Sequence, residues 1–200
     1  GYGRKPRAEE AKPNPFHGYF FKILTRQGKS APGGKYDYIT NGDLIGGTSI
    51  GAAIAAQYAM GMDDETMLAM NRKIWIEWKP FNDYTLPIMS ILKGRKFEHV
   101  AEKVYGDTLI EDLWINYFCV STNLTTTDLV VHRKGRVTRA LRATAALPGI
   151  ALPLVDNHNL LVDGGVLTNL PGDVMRKLCD GFVIAVSVSF EKDLSMSSEK

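Results

Sequence analysis

Cysteine is almost missing from this 200-residue sequence: only Cys119 and Cys179 occur, in no C-x-x-C or Cys/His spacing. Two isolated thiols build neither a disulfide framework nor a zinc site, so reduced cysteines are expected. An excess of one charge is lacking too. Lys and Arg number 24 against 22 Asp and Glu, a formal net charge of +2, which supplies no cationic field for a nucleic-acid partner. The chain does not start with Met, has no basic-then-apolar leader and stops in a polar run, so both ends read as cut. The expected location is intracellular, cytoplasmic or peripherally membrane-associated. One uncharged run is long, the 19 residues from Leu44 to Met62. Its glycines, with Thr48, Ser49 and Gln57, suit a turn before a close-packed helix better than lipid.

What is present is a globular composition, 44% hydrophobic and 23% charged, enough for one buried core. Residues 1–42 mix prolines, basic charge and Gly33-Gly34 around a single apolar patch, Tyr19 to Leu24, and read as a poorly defined N-terminal segment. Residues 43–190 read as the domain, and 191–200 as a polar tail. Within the domain, Asp43 to Gly47 is expected as a buried strand and Ile50 to Met60 as an Ala-rich helix. Asp63 is the expected N-cap of a helix running to about Trp78, with a further helix from Phe97 to Tyr105. Strands are expected at Trp114–Ser121, Leu129–His132, Leu160–Val162 and Phe182–Val188. Helices are expected at Thr138–Leu147 and from Pro171, with Asn169 as a cap. Strands and helices in alternation, the strands continuously apolar, predict an α/β three-layer domain with a mainly parallel sheet.

Gly47-Thr48-Ser49-Ile50-Gly51 matches G-x-S-x-G between an apolar strand and a helix, the context of a nucleophile elbow. There the flanking glycines let the backbone pass closely, and the N–H of Ile50 at the helix start faces a developing oxyanion. The plainer reading makes Ser49 a helix cap. Leu160-Leu161-Val162-Asp163-Gly164-Gly165 sets a carboxylate at a strand end before two glycines, where it can take a serine proton if burial raises its pKa. Its plainer reading is an Asp-Gly hairpin turn. His99, His132 and His158 follow Ser49 in an order that a histidine-based α/β-hydrolase permits, but each reads as a solvated surface residue.

Taken together, Gly47 to Ala52, the stretch Ala143-Thr144-Ala145-Ala146-Leu147-Pro148-Gly149, and Asp163 to Pro171 resemble the patatin-like phospholipase family. The likeness runs from about Asp43 to Val188, and Ile110 to Trp114 and Val131 to Gly135 look closest to its neuropathy-target-esterase-like branch. The resemblance implies a three-layer α/β/α catalytic domain and a Ser–Asp dyad acting on acyl esters of phospholipids or lysophospholipids. Ser49 would be the nucleophile and Asp163 the base, with Ile50, Gly47 and Gly51 forming the oxyanion side of the elbow and Gly164 and Gly165 the supporting loop. No metal or cofactor is implied.

One departure stands out: the family's upstream G-G-G-x-R-G string is missing from Gly1 to Gly46, which points to an omitted segment or to an impaired lipid-binding relative. An apolar series from Met67 to Leu92, including Trp75, Trp78 and Phe81, reads mainly as core and in part as a lipid entrance. Arg4, Lys5, Arg7 and Lys12 are candidates for touching anionic lipid heads at a peripheral membrane contact. Nothing in the sequence sets an oligomeric state.

Overall fold

The computed structural model describes residues 23–26, 44–81, 83 and 94–187. Its elements in chain order are β1 (Ile23–Arg26), β2 (Leu44–Gly47), α1 (Ile50–Ala59), α2 (Asp64–Arg72), α3 (Arg95–Tyr105), β3 (Asn116–Asn123), β4 (Asp128–His132), α4 (Val137–Thr144), β5 (Leu154–Asp156), β6 (Asn159–Asp163), α5 (Gly172–Leu178) and β7 (Phe182–Ile184). A π-helical stretch, Lys73–Trp78, prolongs α2, and a 3-10 turn covers Gly164–Val166.

The register around β3 fixes the architecture. Cys119 pairs with both Gly47 of β2 and His132 of β4, while Ser121 pairs with both Asp163 of β6 and Val130 of β4. A residue has only two edges, so β4 holds one edge of β3 while β2 and β6 share the other. Because β2 is parallel to β3 and β6 antiparallel, the C-terminal ends of β2 and β6 run toward each other. Gly47 and Asp163 lie opposite positions two residues apart on β3, roughly 7 Å along a strand.

Alanine determines how closely α1 covers the sheet. Ala52, Ala55, Ala56 and Ala59 are 0% exposed and pack in one cluster with Ile45, Tyr117 and Cys119 of the sheet and with residues of α3 and α4. Two buried phenols lock this approach, Tyr105 donating to Ala53 O at 2.9 Å and Tyr117 to Ala52 O at 3.0 Å. On the opposite face Leu44, Phe118 and Val120 pack against Met175 of α5 and Cys179. The result is three layers, α/β/α. Asp63 caps α2 as expected, its Oδ1 accepting from the Thr66 N–H at 2.8 Å. Both cysteines are free and buried.

Several expectations are corrected. The sheet is mixed: among the described residues only β2 and β3 pair in parallel. The uninterrupted apolar strands reflect burial on two faces, and the tight reversals between β3 and β4 and between β5 and β6 impose antiparallel pairing. The three-residue strand β5 was not expected. α4 stops at Thr144, short of Leu147, and Ala146 O accepts instead from the Asp163 N–H at 2.9 Å. β7 ends at Ile184 rather than Val188, which lies outside the described residues. Asn169 does not cap α5, which starts after Pro171 with no side-chain cap. Of the Met67 to Leu92 series, Met67 and Ile74 are buried and Trp75 is 39% exposed; Leu86, Ile88, Met89, Ile91 and Leu92 lie outside the described residues. So do His17, Asp43, Arg4, Lys5, Arg7, Lys12 and Gly33-Gly34. Among the described residues no helix is long and apolar enough to cross a membrane.

Candidate active site

Ser49 stands between the end of β2 and the start of α1 with φ 52° and ψ −123°, a conformation that non-glycine residues rarely adopt. Packing holds it there. A Cβ on Gly47 would lie 2.6 Å from the Gly51 carbonyl carbon, so only glycine lets the strand end pass beneath the first helical turn. Gly51 has nothing within 4 Å of its would-be Cβ, which leaves the helix start open. The Ser49 side chain makes no capping bond, so the helix-cap reading is not realised.

The first helical acceptors, Thr48 O and Ser49 O, take the N–H groups of Ala52 and Ala53. The N–H groups of Ile50 and Gly51 therefore stand ahead of the first helical bond, at the positive end of α1. The Ser49 N–H points elsewhere, donating to Thr144 Oγ1 at 2.9 Å.

Asp163 ends β6 and is 2% exposed. The residues after it form a 3-10 turn, not the second arm of a hairpin. Its Oδ1 accepts from the Gly165 N–H at 2.7 Å, while Oδ2 is buried with no hydrogen bond of good geometry. Burial raises the Asp163 pKa, and interactions with the Ser49 side chain and the Gly165 N–H offset this in part. The Ser49 side chain thus lies near enough to the carboxyl to bear on its protonation. Gly164 is required by proximity, since its would-be Cβ lies 2.5 Å from Val120 O and 3.0 Å from Thr48 Cγ2. The Thr48 hydroxyl donates to Thr168 O at 3.3 Å and ties elbow to loop.

Beside Ser49 opens a cavity of about 290 Å³, lined by Ile50, Gly51, Asn169, Leu170 and Val186 among others. Ile50 is 48% exposed at its edge. The structure thus gathers Ser49, Ile50, Gly47, Gly51, Asp163, Gly164 and Gly165, all named from the sequence.

The histidines are placed elsewhere. His99 and His158 are exposed. His132 is partly buried rather than solvated: its Nε2 lies 2.7 Å from Ser121 Oγ, and burial lowers its pKa. None of the three is among the groups acting on Asp163. Thr144 was given no role from the sequence, although it lies in the stretch Ala143 to Gly149 that carries part of the family resemblance. Among the described residues no cluster of His, Cys, Asp and Glu could hold a metal ion.

A family model described as patatin-like phospholipase matches residues 19–175. An uncharacterised NTE family protein of Mycobacterium tuberculosis is 40% identical over 146 residues, covering 73% of this chain and 25% of the relative. Lysophospholipase NTE1 of Candida albicans is 39% identical over 155 residues, 76% of this chain and 11% of the relative. Patatin-like phospholipase domain-containing protein 6 of Mus musculus is 36% identical over 166 residues, 78% of this chain and 12% of the relative. The chain thus spans a quarter or less of the length of these relatives. The family match over residues 19–175, agreeing with the elbow and the Asp-Gly-Gly loop, establishes that this chain belongs to the patatin-like phospholipase family.

Proposed function

We propose that the chain is a serine lipid acyl hydrolase that cleaves carboxylic esters of phospholipids or lysophospholipids through an acyl-enzyme on Ser49, with Asp163 as base. The observation that carries this reading is the meeting of a strained, glycine-flanked serine with a buried carboxyl whose pKa lies above the ordinary range. The family, and the name lysophospholipase borne by the Candida albicans relative, support the substrate class.

In the first half-reaction Ser49 Oγ attacks the ester carbonyl and its proton passes to the Asp163 carboxylate. The carbonyl oxygen becomes an oxyanion at the start of α1, where the N–H groups of Ile50 and Gly51 stabilise it. As the C–O bond breaks, the departing glycerol oxygen takes the proton back from Asp163, leaving the acyl group on Ser49. In the second half-reaction water attacks that acyl carbon, Asp163 accepts the water proton and returns it to Ser49 Oγ, and fatty acid leaves. A raised pKa helps, because a base nearer the working pH both takes and returns a proton readily.

The test is mass-spectrometric mapping of a fluorophosphonate probe on the folded chain, alongside fatty-acid release from lysophospholipid micelles. Adduct at Ser49, lost together with turnover in Ser49→Ala and Asp163→Asn, is the expected result. A folded chain that takes no probe and releases no fatty acid overturns the reading in favour of a lipid-binding relative.

A further inference from the structure

We infer that Thr144, the last residue of α4, is the positioning residue that sets the Ser49 backbone against the Asp163 loop, an inference that rests on the dyad reading above. Thr144 is 0% exposed. Its hydroxyl accepts from the Ser49 N–H at 2.9 Å and donates to Val120 O of β3 at 2.5 Å. A hydroxyl carries one proton and two lone pairs, so both bonds are made at once without conflict. One buried side chain therefore ties the elbow, the end of α4 and the central strand, joining residues 95 and 24 positions apart.

The choice of Val120 O matters. The same carbonyl is the atom against which Gly164 packs, 2.5 Å from where a Cβ would be. Gly164 directly follows Asp163. The Thr144 hydroxyl and the backbone of the Asp163 loop are thus referenced to one oxygen atom, and the Ser49 N–H is referenced to it through that hydroxyl. The separation of serine and carboxyl is set at this junction.

Strain gives the bond its importance. A serine at φ 52° persists only where its surroundings over-determine it. The glycine contact of Gly47 with Gly51 excludes alternatives sterically, but it does not fix the rotation of the peptide between Thr48 and Ser49. The bond to Thr144 does, because it engages the N–H of that peptide. It also removes the Ser49 N–H from the oxyanion donors and leaves that role to the N–H groups of Ile50 and Gly51. Replacing the hydroxyl with a methyl takes a partner from the part-buried Ser49 N–H and from the buried Val120 O, and frees the peptide to rotate.

The test measures the rate of fluorophosphonate labelling at Ser49, with kcat and KM for a lysophospholipid, in Thr144→Val, Thr144→Ser and a control, Val137→Ala. Val137 is 0% exposed on the same helix and away from the elbow, so its truncation destabilises the fold without touching the junction. Thr144→Val, nearly isosteric, is expected to slow labelling and kcat about 100-fold through misplacement of the serine, with KM little changed. Thr144→Ser, which keeps the hydroxyl, retains most of the rate, as does Val137→Ala at a matched loss of Tm. Should Thr144→Val not fold, Thr144→Cys against Thr144→Ser compares a weak S–H with an O–H at equal branching, and the cysteine variant alone is expected to be slow. Wild-type labelling in Thr144→Val, or equal slowing in the serine variant or in Val137→Ala, overturns the inference alone. An unlabelled wild-type chain overturns the dyad reading and this inference with it.

Discussion

Ser49 and Asp163 sit at two strand ends that face each other along one edge of β3, yet they are held in different ways. Ser49 has φ 52° and ψ −123° at the lip of an open cavity, fixed by a glycine contact and a backbone bond to Thr144. Asp163 has φ −49° and ψ 132°, without the positive φ of the serine, and is 2% exposed. On the serine side the cost lies in backbone conformation; on the aspartate side it lies in desolvation of a carboxylate. A nucleophile must meet substrate and so cannot be tuned by burial. A base needs no exposure beyond the proton it handles, and burial is what shifts it.

The largest effects should come from removing either functional group. Ser49→Ala is expected to lower lysophospholipid turnover at least about 10⁴-fold, measured as kcat in a fatty-acid release assay, with the fold intact by circular dichroism. Asp163→Asn should cost about 10²- to 10⁴-fold in kcat. It should also raise Tm by a few degrees, because it removes a buried carboxylate whose desolvation is only partly offset. A lower Tm in that variant would break the contrast, since it would mean that the charge stabilises the fold.

Next in size is the steric side. Gly47→Ala sets a methyl 2.6 Å from the Gly51 backbone and is expected to cost roughly 1–3 kcal/mol by denaturant unfolding. Unchanged stability would mean that the elbow is looser than its glycines require.

Titration separates the two sides further. The Asp163 pKa is raised, mainly by burial, so the acid limb of kcat/KM is expected above the ordinary aspartate value of about 3.9. The folded state binds that proton more tightly than the unfolded chain does. This contribution to stability is therefore fully present below the unfolded pKa and is lost as pH rises through the folded one. Asp163→Asn should flatten this part of the stability profile, as followed by Tm against pH. The smallest effect is expected from Ser49→Gly, which relieves the positive φ and should stabilise the chain by about 1 kcal/mol over Ser49→Ala.

Much of this was legible from local pattern. The strand, turn and helix around Ser49 were readable because glycine spacing and an alanine-rich run are local signals, and α1 begins at Ile50 as expected. Asp163 was legible as a strand-end carboxylate before two glycines. Sheet direction was not, because continuous apolar strands report burial on two faces and not the direction of the neighbour; β2 and β3 alone pair in parallel among the described residues. The end of α4 was misplaced for a similar reason. Leu147 carries a helical pattern, but Ala146 O is taken by the Asp163 N–H from across the fold.

The sequence by itself singled out the side chains that could do chemistry and the glycines at 47 and 164 that close packing requires, since those follow from residue type and short spacing. Only the tertiary structure decided that β2 and β6 share one edge of β3, that Asp163 is buried enough to shift, and that the Thr144 hydroxyl bridges Val120 O and the Ser49 N–H. Each of these depends on groups that the chain separates by 24 to 95 positions or more. Local propensity carries no information about such distances; strand register and close packing bring them to within a hydrogen bond.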